Sequence, residues 1–119
     1  MVFARMSTWT FKKTKAEEGF LELDNQLNSL TRQTAGFRGY MSLLPHEDAN
    51  SAVILSLWQD EETLKASEKG AFVELTKMVQ PYLEKPPTSK SFRVFSTELF
   101  QRQEKPDLKP TKTLPRGRI

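Results

Sequence analysis

Few side chains in this chain could do chemistry, and their types narrow what that chemistry is. Among its 119 residues there is no cysteine and one histidine, His46. That excludes a thiolate nucleophile, a disulfide scaffold and any metal site built from several imidazoles or thiolates. His46 falls in Pro45-His46-Glu47-Asp48-Ala49-Asn50, a stretch of turn composition, so it reads as a solvated loop residue rather than a general base. What remains is charge, hydrogen bonding and aromatic surface. Arg5 and Ser7 alternate onto one face of an N-terminal extended segment. Arg38, Tyr40 and Ser42 share one face of a second, Trp58 ends a third, and Arg93 lies on a fourth. A buried arginine needs a partner, and Glu98 or a carboxylate of a second copy would supply one. Tyrosine and tryptophan present an apolar plane with one polar atom. The roles open to these arginines are pairing at the surface or a dimer interface, or the orienting of a substrate. Neither G-x-G-x-x-G nor a P-loop occurs, so no flavin or nucleotide site of those types, and no cofactor, is expected.

The elements that would position these groups are legible as changes of period. Residues 2–11 alternate, with Val2, Ala4 and Met6 on one side and Phe3, Arg5, Ser7, Trp9 and Phe11 on the other. From Ala16 the period becomes helical: Ala16, Phe20, Leu23, Leu27 and Leu30 lie on one face, with Glu17 and Glu18 in the first turn and Gly36 as the stop. Phe37–Leu44 reads as a second strand. Ala52–Trp58 reads as a third, apolar on both faces. Asp60 is a good N-cap for a second helix, which Gly70 breaks or bends before Phe72, Leu75, Met78 and Val79 resume the period. Pro81 closes it, Pro86-Pro87 cannot continue it, and Lys90–Phe100 alternates as a fourth strand. The expected fold class is α+β: a ferredoxin-like βαββαβ unit with a four-stranded antiparallel sheet over residues 1–100. Residues 101–119 form a basic, proline-containing extension outside it.

Composition bears on partners. The chain carries 18 basic and 15 acidic residues, a net charge of +3. The extension alone holds six basic residues against Glu104 and Asp107, so residues 1–100 are nearly neutral, with 12 basic and 13 acidic. Six dispersed charges make a poor nucleic-acid site, and SAVILSLW lacks the basic-aromatic stretch of an RNA-binding strand. No apolar run approaches the length of a membrane span, so neither nucleic acid nor membrane is an expected partner, and a cytoplasmic location is expected. The doubly apolar third strand has helices enough to cover one face only. The other face is expected to meet a second copy of the chain, making a homodimer.

Three segments carry a family resemblance. Leu57-Trp58-Gln59-Asp60-Glu61-Glu62-Thr63-Leu64 is similar to the strand-end motif W-x-[DS]-x-E-x-[LF] of the antibiotic biosynthesis monooxygenase superfamily. Gly36-Phe37-Arg38-Gly39-Tyr40 resembles the opening of its second strand, and Gln80-Pro81-Tyr82-Leu83 followed by Pro86-Pro87 its passage into the fourth. The resemblance covers about residues 2–100. It implies a dimeric α/β barrel with a mostly apolar pocket between sheet and helices in each protomer. In the haem-degrading branch a strand-one Asn, a helix-two Trp and a later His do the work; those positions fall here on Met6, Ser67 and Thr76, so haem degradation is not expected. Quinol-oxidising members place a His at the Ser67 position, and a serine hydroxyl cannot replace it as a base near neutral pH. The resemblance therefore implies a cofactor-independent monooxygenase acting on a small aromatic molecule such as a quinol or anthrone, or, in the alternative, a non-catalytic ligand-binding or stress-response protein using the same pocket. The expected binding residues are Trp58, Tyr40, Ser67, Thr76, Met6 and Arg38, with no catalytic residue assigned.

Overall fold

The computed structural model describes residues 1–98; the basic extension lies outside the described residues. The first strand, β1 (Phe3–Phe11), follows its alternation: Arg5, Ser7, Trp9 and Phe11 are buried, whereas Met6 and Thr8 on the opposite face are exposed. A single 3-10 turn at Lys13–Lys15 leads into α1 (Ala16–Gln33), which buries Leu23 and Leu27. Gly36 then turns the chain into β2 (Phe37–Leu43) at φ 83°. That left-handed conformation suits glycine, and the Thr63 side chain packs so closely that a β-carbon there would collide with it. The remaining elements are β3 (Ser51–Trp58), α2 (Glu61–Lys69), α3 (Ala71–Val79) and β4 (Leu83–Arg93).

Asp60 caps α2 as its type and place require. Its side chain accepts a hydrogen bond from the Thr63 backbone N–H at 2.9 Å, and the Thr63 hydroxyl oxygen accepts from the Asp60 N–H. These contacts, led by the Thr63 N–H, hold the Asp60 carboxyl below the ordinary carboxylate range. The second helix divides at Gly70, whose φ and ψ of −121° and −94° are not helical.

The sheet order is β2-β3-β1-β4 with every neighbour antiparallel. With three helices packed on it, the chain has the α+β, ferredoxin-like architecture expected. Trp9, Phe11, Leu23, Leu27, Ile54, Trp58, Leu64, Leu75 and Val79 form the core between sheet and helices.

Two local readings are corrected. The fourth strand occupies Leu83–Arg93, not Lys90–Phe100. The Pro86-Pro87 pair is no barrier to it because β4 is an edge strand paired only with β1, and the prolines lie where the ladder skips from Thr88 to Lys85 opposite Trp9. Residues 94–98 lie outside the strand, although the Val94 N–H still donates to the Val2 carbonyl at 2.9 Å, and Leu99 and Phe100 of the expected strand lie outside the described residues. In β2, a register shift between Phe37 and Gly39 makes Arg38 the extra residue of a bulge. Phe37 and Tyr40 consequently stand opposite Trp58 and Ser56 on the helix-covered side, and Arg38 no longer shares a face with Tyr40.

The two sides of the sheet are finished differently. Helices cover the side bearing Arg5, Ser7, Ile54, Ser56 and Trp58. The other side carries Met6, Met41, Leu43, Val53, Leu55, Leu57 and Phe92 across all four strands. There Met41 is 52% exposed, and Met6, Leu43 and Phe92 are each above 40%.

Candidate ligand-binding site

Strand alternation on β1 puts one charged residue into the apolar interior. Arg5 shares its buried face with Ser7, Trp9 and Phe11 and is 4% exposed. Its Nη2 donates to the Ser67 hydroxyl at 2.8 Å and to the Leu64 carbonyl at 3.2 Å, both on α2. The Ser67 hydroxyl in turn donates to the Leu64 carbonyl at 2.6 Å. The guanidinium carbon lies 4.8 Å from the centre of the Phe72 ring and 5.7 Å from that of Trp58, within cation–π range of both. The nearest carboxylate, Glu68, stands 3.9 Å away, too far for a hydrogen bond, with its own side chain half in solvent. Because one terminal nitrogen makes both hydrogen bonds, Nε and Nη1 are without a hydrogen-bond partner among the described residues. Burial pulls the guanidinium's pKa down, and Glu68 offsets part of that. Arginine remains a cation throughout the physiological range.

Beside Arg5 is a cavity between the sheet, α1 and α3. Leu27, Leu30, Phe37, Ile54, Trp58, Phe72 and Leu75 form its apolar walls, and Arg5, Ser7 and Ser56 are its polar groups. The two serines already serve the indoles: Ser7 Oγ accepts from Trp9 Nε1 at 2.8 Å and Ser56 Oγ from Trp58 Nε1 at 3.0 Å. Phe37 stacks on Trp58, ring centres 4.8 Å apart and planes 18° apart, which fixes the orientation of that wall. The free space is about 20 Å³, room for about one water molecule. A larger ligand enters only if the half-buried Phe72 and Leu30 move. No histidine or carboxylate lines the cavity, so its lining holds no base that works near neutral pH.

Of the residues the sequence singled out, Trp58 is a cavity wall. Ser67 is close by, but the space left by its small side chain is occupied by Arg5, whose guanidinium it holds. Tyr40 lies on the same side of the sheet yet turns its hydroxyl to Asp24 Oδ1 at 2.8 Å, over a shallow surface dent with Asn28 and Arg32. Burial first, and then Asp24, raise its phenol pKa, so it stays protonated near neutrality. Thr76 spends its hydroxyl on the Phe72 carbonyl and faces a separate groove with Lys12 and Lys85. Met6 projects from the opposite face of the sheet, and Arg38 is exposed on the β2 bulge. The carboxylate near Arg5 is Glu68, not Glu98. Sequence reasoning passed over Phe72, Ser56 and the central place of Arg5. The available signal was that Arg5 is the one charge in the buried series Phe3, Arg5, Ser7, Trp9, Phe11.

The βαββαβ unit with its antiparallel sheet is shared with solved structures. A family profile described as antibiotic biosynthesis monooxygenase matches residues 3–74, and the chain belongs to that family. The fold is shared with Rv0793 from Mycobacterium tuberculosis at 13% identity, covering 82% of this chain and 98% of that one with a TM-score of 0.66. A candidate antibiotic biosynthesis monooxygenase from Caulobacter crescentus matches at 14% identity, over 80% and 91% of the two chains, with a TM-score of 0.68. A conserved protein from Methanosarcina mazei matches at 20% identity, over 78% and 92%, with a TM-score of 0.65. At these identities the likeness is one of fold. No curated protein matches the sequence. Among the described residues no group of three or more His, Cys, Asp or Glu is placed to hold a metal ion, and no helix is long and apolar enough to cross a membrane.

Proposed function

We propose that this chain is a small-molecule monooxygenase that acts, without a cofactor, on a flat aromatic hydroxy compound of the quinol or anthrone kind. The observation that carries the reading is the buried Arg5, set against an aromatic-walled cavity with N–H groups to spare. In such chemistry the substrate loses a proton to become an enolate, and its electron-rich carbon reduces dioxygen. For an anthrone the net change is CH2 + O2 → C=O + H2O, and for a quinol it is quinol + O2 → hydroxyquinone + H2O (1,4-dihydroxynaphthalene, C10H8O2 + O2 → C10H6O3 + H2O), so substrate and oxygen balance and nothing is drawn from the protein. The cavity supplies no base, so the proton goes to solvent. The protein's contribution is to hold the ring against Trp58 and Phe72 and to stabilise the oxyanion with Arg5, whose attraction is strong in a water-poor setting. The working unit is a homodimer in the cytoplasm, its two sheets packed through the bare face that holds Met41, Leu55 and Phe92.

One observation favours a second reading, binding without turnover: the lining of the cavity holds no base. One experiment separates the two. Oxygen consumption is followed with anthrone and with 1,4-dihydroxynaphthalene, over the uncatalysed rate, in metal-free buffer and again with added flavin. Turnover that saturates with substrate and is lost in Arg5→Met supports the oxygenase. Saturable binding with no oxygen uptake supports the binding protein.

A further inference from the structure

We infer that the cavity beside Arg5 selects a ligand carrying a formal negative charge, a planar apolar body bearing one carboxylate or phenolate, and that Glu68 is the weak counter-ion whose charge competes with that ligand for Arg5. The inference rests on the proposed ligand site and adds the charge of what it takes.

Three facts carry it. Arg5 is a cation 4% exposed to solvent, and an ion removed from water that far ordinarily has a close anionic partner. Its one carboxylate is 3.9 Å away, is half in water, and makes no hydrogen bond to it. Glu68 approaches only Nη2, which Ser67 and the Leu64 carbonyl already hold, so Nε and Nη1 are left without a hydrogen-bond partner among the described residues on a side chain that lines the cavity. Nη1 keeps two N–H groups without a partner among the described residues, and either can donate to one oxygen of a carboxylate or to the oxygen of a phenolate, while Nε, on the far side of Cδ, shares no fork with it. Phe72 and Trp58 flank the guanidinium and continue as apolar wall, so the same residues that hold the cation in plane would take the ring attached to the anion. A ligand anion arriving here supplies the close negative charge that Glu68, at 3.9 Å and half in solvent, leaves unsupplied.

The test compares two probes of one shape, 2-naphthoate and the neutral 2-naphthamide, titrated calorimetrically into the full chain at pH 7. Naphthoate should bind about tenfold more tightly, the order of one charge-assisted hydrogen bond over a neutral one. Arg5→Gln should erase the difference, and Arg5→Lys should keep part of it, because charge remains while the placed guanidinium N–H groups are lost. Glu68→Gln removes the competing carboxylate from an exposed position that the fold does not depend on. It should tighten naphthoate about two- to fivefold, the scale of a partly exposed ion pair, and leave naphthamide unchanged. Equal affinities for the two probes would overturn the charge selection while the cavity remains a ligand site. Weaker or unaltered naphthoate binding in Glu68→Gln would overturn the competition. Failure of both probes to bind at millimolar concentration would overturn the inference together with the site itself.

Discussion

The two faces of one sheet break the ordinary rules of burial in opposite ways. On the covered face a charge is buried where an apolar side chain would pack: Arg5, held by Ser67 and flanked by Phe72 and Trp58. On the bare face apolar side chains stand in solvent where polar ones would be cheaper: Met6, Met41, Leu43 and Phe92. The covered face lowers stability to gain an atom-specific site, since a buried ion seldom outperforms a hydrocarbon of equal volume. The bare face gains nothing from any single residue and everything from its extent. On the proposed function, specificity would depend on one side chain on one face, and assembly on a dispersed set of side chains on the other. That difference decides how each should respond to mutation.

The largest effect is expected on the bare face. Leu55→Asp puts a charge at the centre of β3 and should cost several kcal/mol if a second sheet covers it. Light scattering should show loss of the dimer, and thermal melting a collapse in stability. A wild-type chain that is monomeric at micromolar concentration would remove the dimer. On the covered face, Phe72→Ala should cost about 2–4 kcal/mol, because it deletes a large wall of the cavity. Part of that loss should be regained on adding an aromatic anion, read as a rise in Tm that the wild type shows less strongly.

Arg5→Met separates stability from function. Filling the guanidinium's volume with an apolar chain should leave Tm unchanged or raise it, while binding of 2-naphthoate falls about tenfold or more. A large drop in Tm would make Arg5 a structural residue. The smallest effect lies away from both faces, at the α2 cap. Asp60 has a lower pKa folded than unfolded, so its cap contributes fully above the ordinary carboxylate pKa of about 4 and fades as the pH falls through the folded value. Asp60→Asn should lower Tm slightly at pH 7 and flatten its fall below about pH 4. An identical acid profile in the two proteins would exclude Asp60 as a contributor.

The local signals served the elements and misled on the site. The α1 stripe, the Asp60 cap, the break at Gly70 and the two-sided β3 were all readable, because each is set by neighbours within a turn or two of helix or by simple alternation. From β3 alone it followed that one face would lack a cover. The site residues fared differently. Strand parity already separated Met6 from Arg5, so a list containing Met6 and Trp58 mixed the two faces.

What the sequence determined by itself is the order of elements, the side of each that is apolar and the residue types present: one histidine, no cysteine and an arginine amid aromatics. What only the tertiary structure decided is which of them meet. Ser67 reaches Arg5 across 62 residues, a distance over which no periodicity carries information. The bulge at Arg38 and the early start of β4 were settled by the strands alongside, since a ladder's register depends on what each strand pairs with. The cavity, too, is a remainder, the space left when α1 and α3 close over Trp58 and Phe37 around a side chain too polar to fill it. Packing many bodies at once produces that shape, and no single segment of the chain encodes it.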